Sequence, residues 1–109
     1  VTRAGAPAVD DAFGVIANRL RRELLERLAA GECRVTELAT GLPVSRPAVS
    51  QHLRLMLDVG VVTERRVGRE RYYSLSRSQL GDVDRWLARL DDFWASGLRR
   101  LGEHLDRQP

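Results

Sequence analysis

Arg46, Ser50, Gln51 and Arg54 crowd one short stretch of the chain, and no acid stands between them. Arg and Gln side chains pair with base edges, and Ser and Arg hold phosphate oxygens. That chemistry needs its groups on one face of a rigid rod. The segment supplies the rod: Ser45 suits an N-cap, and Pro47 falls in the first turn, where a missing N–H costs nothing. Val49, Leu53 and Met56 recur at i, i+4 and i+7 and are expected to face a core. A plain solvated helix face shares these features, so the neighbouring elements decide between the two readings.

Upstream, Gly31–Val35 reads as a short extended link. Thr36 is expected to cap a brief helix, Glu37–Thr40, with Leu38 and Ala39 inward. Gly41, Leu42 and Pro43 then turn the chain into the Ser45–Val59 helix, which stops at Gly60. Two helices joined by a short Gly-containing turn, the second presenting basic and amide groups, form a helix-turn-helix pattern. Downstream the period changes to that of strands over Val61–Val67 and Glu70–Leu75, joined by Gly68-Arg69 as in a type II′ hairpin. Val62, Tyr73 and Leu75 supply apolar faces, and Arg65, Arg66, Arg69 and Arg71 gather near the tip. A soluble basic edge is the plain reading of this hairpin; directly behind a helix-turn-helix it becomes a wing able to follow a phosphate backbone.

The flanking segments must hold this unit. A first helix is expected from Asp10 or Asp11, carrying Val9, Phe13, Ile16, Ala17 and Leu20. A second follows at about Arg19–Ala30, with Leu24, Leu25 and Leu28 inward and Asn18 the only polar break. Arg21, Arg22, Glu23 and Glu26 read as a solvated face. The last helix, Gln79–Asp106, carries Leu80, Val83, Leu87, Leu90, Trp94, Leu98, Leu101 and Leu105 in one stripe, widened by Trp86 and Phe93. At 1.5 Å per residue it spans about 42 Å, more than a domain of this size covers from one side. The stripe therefore reads as a surface for a second copy. A helix wrapped on its own domain and a cofactor box built from Trp86 and Trp94 are the competing readings.

The 109 residues fit one domain, 43% apolar and 30% charged, with net charge +3. All 18 basic residues are arginine, which suits bidentate phosphate and base contacts. Residues 44–77 hold seven arginines against three acids, while the flanks are close to balanced, so the positive excess sits on the candidate reading unit. Cys33 is the only cysteine; it excludes an internal disulfide and fits a reducing compartment. No signal-peptide pattern and no membrane-length apolar run is present, so a cytoplasmic protein without a membrane partner is expected. No HExxH, GxxxxGK[ST] or GxGxxG motif points to an enzyme. His52 reads as a packed or hydrogen-bonded histidine. Asp82, Asp84, Asp91, Asp92 and Glu103 read as a solvated face rather than a cation site, so neither metal nor cofactor is expected.

The chain resembles the ArsR family of bacterial winged-helix repressors from about Phe13 to His104. Val35–Ala39, the run Leu42-Pro43-Val44-Ser45-Arg46-Pro47-Ala48-Val49-Ser50-Gln51-His52-Leu53, Gly60-Val61-Val62 and Gly68–Leu75 carry the likeness. The resemblance implies a mainly α fold with a small β-hairpin: a winged helix-turn-helix of about five helices with a long C-terminal dimerisation helix. A flexible segment 1–8 is expected before a single domain 9–109, with a DNA-binding core 32–76 and dimerisation helices 10–20 and 78–106. It implies a homodimer on double-stranded DNA that represses transcription at an inverted repeat. The expected DNA-facing residues are Thr36, Ser45, Arg46, Pro47, Ser50, Gln51, Arg54, Arg66, Arg69 and Arg71. Those expected at the dimer surface are Phe13, Ile16, Val83, Trp86, Leu87, Leu90, Phe93, Trp94, Leu98 and Leu101. Many relatives release DNA on binding metal through a Cys-x-Cys or through Asp, His and Glu of the last helices. Here Cys33 stands alone and His104 is the only histidine of the last helix, so the chain is more similar to members without a metal site. A metal- or thiol-responsive repressor using Cys33 and a protein-binding winged helix are the alternatives.

Overall fold

The Asp11 carboxylate accepts the Gly14 N–H at 3.0 Å and starts helix α1, Ala12–Ile16. Seven residues later Asn18 does the same for Arg21 N–H and starts α2, Arg19–Ala29. The polar break at Asn18 is therefore a second N-cap, and Leu20 belongs to α2 rather than to the first helix. The structure, a computed structural model, describes residues 11–106. The expected flexible segment 1–8, together with Val9 and Asp10, lies outside the described residues.

The link after α2 is partly a strand. β1, Cys33–Arg34, precedes α3, Val35–Ala39, and α4, Arg46–Val59; β2, Val62–Val67, and β3, Glu70–Leu75, lead to α5, Gly81–Asp106. The sheet order is β1-β3-β2, antiparallel throughout, with Cys33 opposite Tyr73 and Val62 opposite Leu75. The hairpin expected from the sequence is thus the larger part of a three-stranded sheet. Gly68 has φ 63°, and among the described residues no non-glycine, Arg69 included, has a positive φ, as a type II′ turn through Gly68-Arg69 requires.

Thr36 is not the cap of α3. Arg34 occupies that position, and the Glu37 carboxylate accepts its backbone N–H at 2.9 Å, leaving Thr36 exposed inside the helix. From α2, Arg27 Nη1 donates to the carbonyls of Leu38 and Thr40 at 3.0 and 2.6 Å, closing the other end of α3. α4 begins as expected: Ser45 Oγ accepts Ala48 N–H, and Gly60, at φ 93°, ends the helix in the left-handed region. Val49, Leu53 and Met56 are fully buried with Leu24, Leu38, Val15, Val61 and Val62. Each such aliphatic side chain contributes roughly 1.5–3 kcal/mol on burial, so α4 is anchored by its apolar stripe. Leu57 is half-buried against the edge of this core.

α5 starts two residues later than expected, after a turn at residues 78–80. Val83 joins the core, and Trp86 meets Phe13 of α1 edge to face at 5.7 Å. Beyond that point the helix leaves the body of the domain. The extents are 72 × 41 × 27 Å and the radius of gyration is 19.3 Å, against about 13 Å for a compact chain of this length. The described residues do not fit a helix wrapped on its own domain.

Candidate nucleic-acid interface

α4 and the β2–β3 hairpin flank two open clefts. One, of about 430 Å³, is lined by Thr36, Arg46, Pro47, Ser50, Arg69 and Arg71, with Val35 and Glu70. The second, of about 360 Å³, is lined by Ser50, Gln51, Arg54, Leu57, Glu64, Arg66, Arg71 and Tyr73. Nine of the ten residues expected to face DNA are therefore gathered on these two walls; the tenth, Ser45, is the cap next to Arg46. α4 positions its share because the buried stripe turns Arg46, Gln51 and Arg54 outward. The hairpin positions its share through the register that sets Arg66 opposite Arg71.

The arginines are not equivalent. Among the described residues Arg46, Arg54 and Arg69 make no ion pair, and their guanidinium groups keep all donors available. Arg66 and Arg71 both lie near Glu64, at 3.6 and 3.9 Å. Glu64 also accepts the Tyr73 hydroxyl at 2.8 Å; burial and that carboxylate push the Tyr73 phenol up, so it stays a donor. Arg65, expected at the basic tip, is turned away. It pairs with Glu32 at 2.7 Å and lies over the Tyr72 ring at 5.0 Å, fastening the hairpin to the loop before β1. Hydrogen bonds from Arg65 hold the Glu32 carboxyl below the usual carboxylate range.

One residue of the expected solvated face is buried: Arg21 is 8% exposed. Arg22, Glu23 and Glu26 are exposed as expected, with Arg22 Nη1 donating to the Ile16 carbonyl at 2.6 Å. The signal was present in the spacing, because Arg21 continues the Leu24–Leu28 stripe by one helical step. His52 is hydrogen-bonded, as expected, with Nδ1 3.3 Å from Arg21 Nη1.

The α5 face beyond Trp86 is open: Phe93, Trp94 and Leu98 are 63%, 64% and 65% exposed. Leu87, Leu101 and Leu105 are exposed with them, Leu90 is half-buried, and Val83 is spent on the protomer's own core. Phe13 and Ile16 are half-buried at the edge of the core on α1.

The donor set of this chain does not fit the metal arrangements described above. Among the described residues no three His, Cys, Asp or Glu side chains gather within reach of one ion. Asp82 pairs with Arg85 of its own helix. Cys33 is half-buried with Sγ 3.4 Å from the Gly31 carbonyl, and burial first, then Glu37, pushes its thiol up. No described helix is long and apolar enough to cross a membrane.

A family model described as bacterial regulatory protein, arsR family, matches residues 18–64. HTH-type transcriptional regulator Rv2034 of Mycobacterium tuberculosis is 39% identical over 91% of this chain and 90% of its own. Transcriptional repressor SdpR of Bacillus subtilis is 29% identical over 72% and 88%. A crystal structure of a possible transcriptional regulator for arsenical resistance superposes with a TM-score of 0.67 at 39% identity, covering 94% of this chain and all of the other.

Proposed function

The chain belongs to the ArsR family of bacterial DNA-binding transcriptional regulators, and from that membership we propose a homodimeric, metal-independent repressor that reads an inverted repeat. The observation that carries the reading is the gathering of unpaired Arg46, Arg54 and Arg69 with Gln51 and Ser50 on the walls between α4 and the hairpin. In this reading α4 enters the major groove, where Arg46, Gln51 and Arg54 reach base edges while Ser45, Ser50 and Thr36 approach phosphates. Arg66, Arg69 and Arg71 on the wing follow the backbone and add salt-dependent affinity. The exposed Trp94–Leu101 face of α5 pairs two protomers, placing two α4 helices about 34 Å apart, one turn of duplex. The domain core 32–76 and the dimerisation segments 10–20 and 78–106 are the corresponding division of labour. Metal independence is supported by the lack of a fitting donor cluster among the described residues, and a thiol trigger is opposed by the raised Cys33 thiol, which keeps the nucleophilic thiolate scarce.

Gel shifts on the DNA upstream of the protein's own gene test this reading. The wild-type chain is expected to select that DNA over scrambled duplex, and Arg46→Ala to lose roughly 1–3 kcal/mol of that selectivity. Zinc, cadmium and arsenite are expected to leave the complex intact. Binding to neither duplex at low salt would instead favour a protein-binding winged helix.

A further inference from the structure

Arg21 is the one charged side chain among the buried described residues, and no groove contact accounts for it. A buried cation is tolerated only where its donors are satisfied. Here Nε donates to the Val15 carbonyl at 3.0 Å and Nη2 to the Gly14 carbonyl at 3.1 Å, while Nη1 faces His52 Nδ1. Gly14 and Val15 lie in the last turns of α1, where carbonyls lack full intrahelical partners. One guanidinium on α2 therefore joins the end of α1 to the middle of α4. α1 in turn bears Phe13, which abuts Trp86 of α5.

We infer that Arg21 is a positioning residue for DNA recognition: its bonds to Gly14, Val15 and His52 fix the set of α4 against the helices that carry the dimer surface. The inference rests on the proposed reading of α4 as the groove-entering helix. Apolar packing through Val49, Leu53 and Met56 holds α4 to the core but is non-directional, so it tolerates small rotations. A directional polar tie does not. Two copies of α4 must meet successive major grooves together, so an error in one protomer's helix is doubled across the dimer.

The tie also has a chemical condition. His52 Nδ1 accepts from Nη1 only when it carries no proton; a proton there sets donor against donor and cation against cation. Burial, and after it the Arg21 charge, hold His52 below the ordinary imidazole value of 6.5, keeping it neutral. α2 contributes Arg21 to this environment, and α1 has no ionisable side chain within Ala12–Ile16. Acid therefore opens the tie. A histidine that simply faced DNA would gain affinity for the polyanion on protonation, so the two roles have opposite signs.

The test is the affinity for the upstream duplex and for a scrambled duplex of equal length, at about pH 8 and about pH 5, the second well under the ordinary imidazole value. Wild type, Arg21→Gln and His52→Asn are compared, with circular dichroism and sedimentation confirming fold and assembly. Arg21→Gln is expected to weaken the upstream complex about tenfold and the scrambled one less than about twofold, within the range for a residue that acts at a distance. Wild-type affinity for the upstream duplex is expected to fall on acidification. His52→Asn offers an oxygen acceptor that takes up no proton, so it should keep the affinity at the higher pH and lose the acid sensitivity. Equal weakening of both duplexes by Arg21→Gln, or tighter wild-type binding in acid, overturns the inference while leaving the DNA reading intact. No selection by wild type at either pH removes the DNA reading and this inference with it. Should Arg21→Gln fail to fold, the wild-type profile and His52→Asn still decide.

Discussion

Glu64 stands between Arg66 and Arg71 on the wall of the second cleft, whose other charged groups are all arginines. Its charge offsets part of the wing's attraction for phosphate, so it restrains binding that carries no sequence information. Glu64→Gln keeps an acceptor for the Tyr73 hydroxyl and removes the charge. It is expected to tighten binding to scrambled duplex several-fold and to steepen the salt dependence of log K by about one unit, read from binding isotherms across a salt series. His52 gives a stability prediction as well. Its folded-state value is depressed, so its contribution is complete above the unfolded value of 6.5 and is lost as pH falls through the folded one. Urea midpoints should therefore fall for wild type between about pH 7.5 and about pH 5.5 and fall less for His52→Asn. Glu32 and Glu37, held low mainly by bonds with Arg65 and Arg34, act in the same direction further down, below 4.5. Among single residues, the set proposed to face DNA was legible as a gathering on two cleft walls, because type and spacing alone mark it. Arg21 was marked only by its place in the Leu24–Leu28 stripe, and an arginine beside acids on a helix reads as solvated unless backbone carbonyls of another helix are known to lie within reach.

At the scale of elements, α4 was legible to the residue, since Ser45, Pro47 and Gly60 each carry a local reason to start or stop a helix. Gly60 occupies φ 93°, and a Cβ there would meet Gln79 Cγ at 3.0 Å. Gly60→Ala should cost about 1–2 kcal/mol in urea unfolding, mostly from the left-handed backbone, with little change in the m-value. The hairpin was legible because Gly68 marks its turn and the flanking runs are rich in Val, Thr and Tyr. β1 was not: two residues carry no period, and their strand character comes from pairing with Tyr72 and Tyr73 nearly forty positions away. The cap of α3 was misplaced for a related reason. Thr36 has the better capping side chain, but pairing of Cys33 and Arg34 with β3 holds the chain extended up to Arg34, and the Glu37 carboxylate bonds the Arg34 N–H.

At the scale of the molecule, an isolated protomer leaves a long aromatic and leucine face in water, from Trp86 to Leu105. Large contiguous apolar patches of this kind mark association surfaces. Leu98→Glu places a charge at the middle of that face, far from the core, so the fold should persist with unchanged helicity. Sedimentation should show a dimer for wild type and a monomer for the variant at micromolar concentration. Because linked half-sites multiply affinity, the variant should lose at least about a hundredfold on the full operator and little on a half-site. The stripe was legible in the sequence, and so was its excess over what one domain covers, because a helix of about 42 Å outruns the core. Which of its residues the protomer keeps was not, since the spacing that buries a helix against its own domain is the same as that which buries it against another, and Val83 belongs to the core. The most direct measurement for the whole account is a hydroxyl-radical footprint, with stoichiometry, on the DNA upstream of the gene. The account predicts two protomers bound and two related protected patches centred about 34 Å apart on one face of the duplex. A single patch covered by one protomer, or protection that moves with no regard to sequence, would contradict it.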